Sequence, residues 1–156
     1  MKLCRLEQVQ QLPIPVAEAW DFFSDPANLP LITPPDLAFR ITSPLPGRIY
    51  AGLVISYTVA PFAGVPVSWV TEITQAREPE FFVDEQRAGP YRLWHHQHFF
   101  RPVSGGTEMT DLISYGLPAD PVSRLVLPLV QRRLEYIFAF RRRALTERFG
   151  PAPAGR

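Results

Sequence analysis

Short turns between predicted strands limit the fold of this chain more than any other feature. Six segments rich in β-branched and aromatic residues lie between positions 39 and 115, separated by turns that contain Pro or Gly. The predicted strands cover residues 39–42, 54–59, 67–74, 81–87, 91–100 and 108–115. Because the connections are too short to hold crossover helices, the strands must pair antiparallel.

Further elements are predicted on both sides of this strand region. Residues 2–12 alternate loosely and predict another strand, and two short helices follow over residues 16–23 and 27–32. A helical pattern then extends over residues 121–149, with Asp120 as its N-cap. The chain is therefore predicted to begin with a strand and two short helices and to end with one long helix.

The predicted long helix contains a proline and an apolar side. Pro128 either kinks this helix or marks its true beginning. Six residues fall near one side of it: Leu125, Leu129, Leu134, Phe138, Arg141 and Leu145.

This order of elements predicts an α+β fold. An antiparallel sheet with one apolar face needs a cover, which the long helix supplies. We expect a strongly curved sheet of about seven strands wrapped around the C-terminal helix, with a space left between helix and sheet. Residues 1–149 are predicted to form a single domain and residues 150–156 a flexible tail.

Composition and charge narrow the class of protein. Hydrophobic residues make up 46% of the chain and charged residues 20%, which is ordinary for a soluble globular protein. A net charge of +1 does not indicate a nucleic-acid partner. Cys4 is the single cysteine, which excludes an internal disulfide and a cysteine metal cluster. The sequence has no segment typical of a signal peptide or a membrane span, so the cytoplasm is the expected compartment.

The only three histidines fall within four residues of one predicted strand. Alternation puts two sets of side chains on opposite faces: Trp94, His96, His98 and Phe100 on one, and Leu93, His95, Gln97 and Phe99 on the other. We favour the face of Trp94 as the inward one, because its large area contributes most when buried. The same phase turns other strand residues inward: Trp69, Thr71 and Ile73; Phe82, Asp84 and Gln86; Asp111, Ile113 and Tyr115.

Two carboxylates and two imidazoles would then share the inward face. A buried carboxylate is costly unless it is paired, and His96 and His98 are the expected partners of Asp84 and Asp111. Such pairs can fix the strand register, contact the polar end of a ligand or act in acid–base catalysis. A metal site is a further reading, but two histidines on one strand are a weak signal. We predict no metal and no cofactor.

Arginines cluster in the predicted C-terminal helix, at Arg132, Arg133, Arg141, Arg142 and Arg143. Consecutive residues of a helix point in different directions, so most of these cations must be solvated. Contact with an anionic membrane surface or with an anionic ligand through them is an alternative that we do not favour. Two apolar connections, residues 29–35 and 58–66, are candidates for the mouth of a cavity.

Several motifs resemble one protein superfamily. They are the opening helix from Pro15-Val16 to Leu29, then Thr33-Pro34-Pro35, Val67-Ser68-Trp69, Phe82-Val83-Asp84, Gly89-Pro90-Tyr91, Trp94-x-His96-x-His98 and Asp111-x-Ile113-x-Tyr115-Gly116-Leu117-Pro118. With the order of elements, they resemble the helix-grip fold of the SRPBCC superfamily over residues 3–149. That superfamily includes START lipid-transfer domains, pollen-allergen-like proteins and polyketide cyclases. The motifs are most similar to a bacterial ligand-binding branch often labelled "cell division inhibitor"-like.

The residues and the resemblance together predict binding of a small hydrophobic or amphipathic molecule in an internal cavity. Nine residues are predicted to contact it: Trp69, Asp84, Trp94, His96, His98, Phe100, Asp111, Ile113 and Tyr115. The alternative is an enzyme of the polyketide cyclase or dehydrase kind, with His96, His98 and Asp111 as candidate acid–base residues. A third hypothesis is an interaction module that acts through the arginine-rich helix.

Overall fold

Seven strands and one long helix form the frame of the computed structural model, which describes residues 1–62, 64–118 and 121–152, with the side chain of Arg124 outside the description. In chain order the elements are β1 (Cys4–Leu12), α1 (Val16–Phe23), two 3-10 helices (Pro26–Ile32 and Pro35–Leu37), β2 (Arg40–Ile41), β3 (Val54–Phe62), β4 (Val65–Arg77), β5 (Phe81–Ala88), β6 (Leu93–Val103), β7 (Gly106–Gly116) and α2 (Pro121–Phe149). This order confirms the predicted α+β class.

The strands form one antiparallel sheet in the order β1-β7-β6-β5-β4-β3-β2. Register shifts between Val70 and Thr71 and between Ile73 and Gln75 interrupt the pairing of β4 with β5. Irregularities of this kind bend a strand, and the sheet curves around α2 as predicted. The histidine-bearing strand β6 lies between β5 and β7, in the body of the sheet.

The segment predicted as the second short helix is a 3-10 helix, Pro26–Ile32. Two of its residues, Pro26 and Pro30, have no backbone N–H to donate, which disfavours a regular α-helical ladder. Asp25 begins the segment, since its Oδ1 accepts a hydrogen bond of 2.9 Å from the backbone nitrogen of Ala27. Sequence periodicity located the helix but did not specify its type.

The long helix α2 begins at Pro121 and continues through Pro128 to Phe149, so Pro128 does not mark its beginning. The predicted N-cap, Asp120, lies outside the described residues, as do residues 153–156 of the predicted tail. None of the described helices is long and apolar enough to cross a membrane.

The prediction for the buried side of α2 is correct in its second half and wrong in its first. The four later residues, Leu134, Phe138, Arg141 and Leu145, are all buried. By contrast, Leu125 is 81% exposed and Leu129 is 53% exposed. The physical reason is the helical repeat: one turn before Leu134 is Val130, which is buried in place of Leu129.

Three apolar clusters join α2 to the rest of the fold. Val130, Leu134 and Phe138 form one apolar cluster with Ile113 and Tyr115 of β7. A second cluster joins α1 to the other end of the sheet and contains Leu12, Trp20, Phe22, Phe82, Phe100, Met109 and Leu145, among others. The third cluster contains Leu37, Val59 and Trp69, and Ile137 of α2 packs against it.

Candidate ligand-binding site

A cavity of about 370 Å³ lies between the sheet and α2. Its floor is formed by β3, β4, β5 and β6, and the helix contributes Val130, Leu134, Ile137, Phe138 and Arg141. Most of the lining side chains are apolar, with a smaller number of polar groups among them. Sites for small organic molecules have this size and composition.

The face of β6 that carries Trp94 and His96 is the inward one, as predicted. His96 is 4% exposed and His98 is 6% exposed, and both line the cavity with Trp94. On the opposite face, His95 pairs with Glu85 through a contact of 2.6 Å, and Phe99 is exposed. The alternation of the sequence therefore predicted the phase of the strand correctly.

Two imidazoles and two carboxylates meet below the cavity and form a buried tetrad, Asp84, His96, His98 and Asp111. The sheet register brings them together, because Asp84 pairs with His96 across β5 and β6, and His98 pairs with Asp111 across β6 and β7. The two rings lie on top of each other, with centroids 3.7 Å apart.

Each carboxylate of the tetrad contacts both imidazoles. His98 Nε2 donates a hydrogen bond of 2.8 Å to Asp84 Oδ2, and His96 Nδ1 lies 3.3 Å from the same oxygen. His96 Nε2 is hydrogen-bonded to Asp111 Oδ1 at 3.0 Å. His98 Nδ1 lies 2.8 Å from that oxygen, at an angle that makes it an ion contact and not a hydrogen bond.

The two histidines of the tetrad differ in charge state. Burial lowers the pKa of His96, and the neighbouring charge of His98 lowers it further. Burial also opposes protonation of His98, but contacts with Asp111 and Asp84 outweigh it and raise its pKa. Those contacts also outweigh burial at both carboxylates and lower the pKa of Asp84 and of Asp111. The shifts therefore favour a proton on His98 over one on His96, between two ionised carboxylates.

Aromatic side chains form the wall beside the tetrad. Trp69 meets Trp94 edge to face at 5.2 Å and stacks on Tyr57 at 5.8 Å. The indole of Trp69 and the hydroxyl of Tyr57 lie 3.2 Å and 3.3 Å from Thr71 Oγ1, so the polar atoms of this wall have partners. On the other side of the tetrad, the ring of Phe82 stacks on His98 at 4.1 Å. The result is a mostly apolar cavity with one polar end.

The nine residues predicted to contact a ligand divide into two groups. Five line the cavity: Trp69, Asp84, Trp94, His96 and His98. The other four, Phe100, Asp111, Ile113 and Tyr115, are not among the described residues that line it. Ile113 and Tyr115 lie where α2 packs directly on β7, Phe100 packs against Trp20 of α1, and Asp111 lies beneath the imidazoles.

Sequence reasoning did not assign Tyr57 and Arg141 to the cavity, although both line it. Tyr57 lies on the same strand face as Ile55 and Val59, which also line the cavity. The alternation of side chains along this strand could therefore have predicted its position. Burial raises the pKa of Tyr57, and the charge of Asp84 raises it further, so its hydroxyl stays protonated. Arg141 was predicted on the buried side of the helix but was interpreted as one of a solvated cluster.

The other arginines of the cluster have different surroundings. Arg133 pairs with Asp36 at 2.8 Å, and Arg142 donates a hydrogen bond of 2.8 Å to the backbone oxygen of Val9. Arg132 and Arg143 are exposed. The predicted solvated interpretation therefore fits Arg132, Arg142 and Arg143, whereas Arg133 and Arg141 both line the cavity.

Both connections predicted at the mouth contribute to the cavity. Leu29, Ile32 and Thr33 line it from the first, and Pro61 and Phe62 line it from the second. Ala63, within the second connection, lies outside the described residues.

Asp84, His96 and His98 could each offer one ligand atom to a metal ion, and these atoms lie within 4.8 Å of one another. The two imidazoles are stacked, however, with planes only 39° apart. The nitrogen atoms of both rings already contact the carboxylates of Asp84 and Asp111 at 2.8–3.3 Å. The geometry favours a hydrogen-bonded network, and the expected lack of a metal remains a prediction.

Comparison with known proteins matches residues 12–139 to the family described as "Polyketide cyclase / dehydrase and lipid transport". No curated protein matches the chain.

Several solved structures share the fold. Protein CV1439 from Chromobacterium violaceum is 14% identical with a TM-score of 0.70, and the match covers 96% of this chain and 97% of that chain. TTHA0849 from Thermus thermophilus is 19% identical with a TM-score of 0.65, covering 95% and 97%. Ginseng major latex-like protein 151 from Panax ginseng is 15% identical with a TM-score of 0.65, covering 96% and 99%. At these identities the similarity shows the fold.

Proposed function

The chain belongs to the polyketide cyclase/dehydrase and lipid transport family, and from this premise we propose that it binds a small hydrophobic or amphipathic molecule between the sheet and α2. The observation that carries the proposal is the cavity of about 370 Å³, apolar along most of its wall and polar at the tetrad. Each methylene group that a ligand buries there contributes about 0.8 kcal/mol, and polar groups at one end fix its orientation.

The tetrad supports an amphipathic ligand over a purely apolar one. Asp84 is the member of the tetrad with the largest exposed fraction, 16% of its side chain, and it lines the cavity. Holding two carboxylates under an apolar cavity is costly, and well-packed apolar residues could hold the sheet together instead. Polar groups retained at the end of an apolar cavity suit a ligand with a polar end.

A neutral fluorescent probe, N-phenyl-1-naphthylamine, tests the proposal directly. We expect the wild-type chain to bind one probe molecule with increased probe emission. Val67→Trp should weaken this binding by about tenfold or more, because Val67 lines the cavity and the larger ring fills part of it. Val65→Trp is the matched control, since Val65 lies two residues away on the same strand and is 61% exposed.

Two results would count against the proposal. The first is no saturable increase in emission with the wild-type chain. The second is equal binding by the Val67→Trp and Val65→Trp variants, which would place the probe outside the cavity.

A second candidate function, proton transfer at a carbon next to a carbonyl group, is favoured by the split charge state of the tetrad. His96 is held neutral and is oriented by Asp111 through Nε2, which leaves Nδ1 as a proton acceptor. His98 is held charged beside it, and opposite pKa shifts of two neighbouring groups are typical of acid–base sites. The protonated hydroxyl of Tyr57 could stabilise a developing enolate.

Exchange of the methyl protons of acetophenone in D₂O separates the two candidates. A cyclase-like enzyme should accelerate deuterium uptake, measured by proton NMR. His96→Ala should then abolish the acceleration and leave binding of the naphthylamine probe within a few-fold. If the wild-type chain gives the buffer rate while it still binds the probe, the carrier function stands and the enzyme candidate is wrong for this class of ketone.

A further inference from the structure

Arg141 is a buried cation in the wall of the cavity. It is 9% exposed and lines the cavity between the last turns of α2 and the sheet. The helix puts it there, because Phe138 three residues before it and Leu145 four residues after it lie on the same buried side. Its guanidinium therefore stays out of bulk water, unlike those of the neighbouring Arg142 and Arg143.

The guanidinium of Arg141 has donors without acceptors. It carries five N–H groups. Its Nη1 lies 3.5 Å from Asp111 Oδ1, a long contact, and its Cζ lies 4.8 Å from the ring centre of Phe138. Its Nε is buried and has no hydrogen-bond partner among the described residues. Buried donors are normally satisfied, so this group calls for an acceptor that the described protein atoms do not supply.

Asp111 does not fill that need. Its Oδ1 already lies 3.0 Å from His96 Nε2 and 2.8 Å from His98 Nδ1, both nearer than Arg141. Three groups therefore contact this one oxygen atom, and Arg141 is the most distant of them. A shared oxygen at 3.5 Å gives neither the short distance nor the paired geometry of a strong arginine–carboxylate contact.

Asp84 is also committed to other donors. Its carboxylate accepts a hydrogen bond of 2.8 Å from His98 and lies 3.3 Å from His96, and the neighbouring indole of Trp94 helps to lower its pKa. Within the described part of the chain, both carboxylates of the tetrad are therefore matched to imidazoles. Two buried nitrogen atoms at this end of the cavity have no hydrogen-bond partner among the described residues, His98 Nδ1 and Arg141 Nε. His98 Nδ1 still has a close ion contact with Asp111 at 2.8 Å, whereas the nearest carboxylate contact of Arg141 is 3.5 Å long.

We propose that the ligand is an amphipathic carboxylate, whose two oxygens pair with the guanidinium of Arg141 while its apolar body lies along Trp69, Tyr57 and Phe138. This inference rests on the proposed ligand-binding function and names the ligand class of that same cavity. A carboxylate matches the planar fork of an arginine with two parallel hydrogen bonds, and both partners are strongest when water is excluded.

A doubly charged head group fits less well. The other arginine that lines the cavity, Arg133, pairs with Asp36 at 2.8 Å. A phosphate monoester would bring two negative charges to the single guanidinium of Arg141, whereas a carboxylate brings one, so the cost of burying unpaired charge is larger for the phosphate. A single carboxylate with an alkyl or aryl body is the class that the cavity favours.

Decanoate and 1-decanol form a matched pair of test ligands with the same chain length. Each is titrated against the wild-type chain with bound N-phenyl-1-naphthylamine, and displacement of the probe is measured at neutral pH. We expect decanoate to bind about tenfold more tightly than decanol, since a charge-assisted, bidentate contact replaces a neutral hydrogen bond. Arg141→Met should reduce that ratio to about one and leave decanol binding unchanged within a few-fold.

Arg143→Met is the matched control, because it removes the same side chain from an exposed position two residues along the helix. It should leave the decanoate-to-decanol ratio at the wild-type value. Arg141→Lys should give an intermediate ratio, since a lysine keeps the charge and loses the fork.

The outcomes separate this inference from the function on which it rests. If neither ligand displaces the probe and the probe itself does not bind, the ligand-binding function fails. If both ligands displace the probe equally from the wild-type chain, the function stands and the carboxylate inference is wrong. That comparison needs no variant, so it decides the question even if Arg141→Met does not fold. If the Arg141→Met variant keeps the wild-type decanoate-to-decanol ratio, the assignment of the carboxylate to Arg141 is also wrong.

Discussion

At the residue scale, the stacked imidazoles determine the chemistry of the site. The two rings have centroids 3.7 Å apart, so two positive charges would repel each other strongly. We therefore expect at most one of the two imidazoles to be charged. The carboxylates on either side hold a proton at His98, whereas burial keeps His96 neutral. The site therefore offers a cation and a neutral base within one network, and either can respond to a ligand.

The order of titration of the two histidines is a direct prediction. The pKa of His98 should lie above the ordinary value of about 6.5, and that of His96 below it. Protonation of His98 then stabilises the fold fully below about pH 6.5, and this contribution is lost as the pH rises through the raised value. His96 has the opposite effect on stability. Below about pH 6.5 the unfolded chain binds a proton at His96 more readily than the folded chain does, so acidification destabilises the fold through this residue.

An NMR titration of the ring protons, with His96→Ala and His98→Ala spectra for assignment, measures both values. Reversed order, or two titrations near the ordinary value, would contradict the charge assignment.

Removing Asp111 should be far more costly than removing a surface carboxylate. Asp111→Asn leaves the buried cations of His98 and Arg141 without their shared anion, and breaking a buried ion pair costs about 3–5 kcal/mol. Asp36→Asn is the control, because Asp36 pairs with Arg133 while 51% exposed, and such pairs contribute about 0–1 kcal/mol. Urea unfolding of both variants gives the two free energies. Equal losses would mean that the tetrad does not stabilise the fold.

At the element scale, the position of α2 decides which residues of the sheet meet a ligand. The helix packs directly on Ile113 and Tyr115 of β7, whereas over β3 to β6 it contributes side chains to the wall of the cavity. Strand alternation predicted correctly that Trp94, His96 and His98 point inward. It could not predict that Ile113 and Tyr115 would be sealed under the helix, since the period of a strand carries no information about what covers it.

The helical pattern predicted the wrong buried residues in the first half of α2, for a different reason. Leu125 and Leu129 were assigned to the buried side, but a step of five residues separates Leu129 from Leu134, and the buried position is Val130. Arg141 followed the buried spacing, yet its charge and its arginine neighbours favoured a solvated interpretation. Only the packing of the helix on the sheet shows that Arg141 points inward.

Two leucines of α2 test its packing. Leu145→Ala should destabilise the fold by about 2–5 kcal/mol, because Leu145 is 1% exposed and lies in the cluster with Trp20 and Phe22. Leu129→Ala should change stability by less than about 0.5 kcal/mol, since the side chain is 53% exposed. Chemical denaturation of the pair measures both, and a large loss from Leu129→Ala alone would show that α2 is rotated relative to the described packing.

At the scale of the whole molecule, the order of elements could be predicted from the Pro and Gly residues of the turns and from the hydrophobic pattern of the segments between them. The strand count, the antiparallel pairing and the covering helix all follow from connection length and from the need to bury one face of the sheet. The cavity is a different kind of property, since it depends on how far a helix stands from a curved sheet. The side chains at that contact fix the distance, and no local pattern in the sequence encodes it.

The central claim is that this space binds a small amphipathic molecule, and native mass spectrometry of the chain tests it most directly. Wild-type protein mixed with decanoate should give a complex of one ligand per chain, and Val67→Trp should lose that complex while Val65→Trp retains it. Ligand adducts without fixed stoichiometry, or the same adducts on all three chains, would contradict the account.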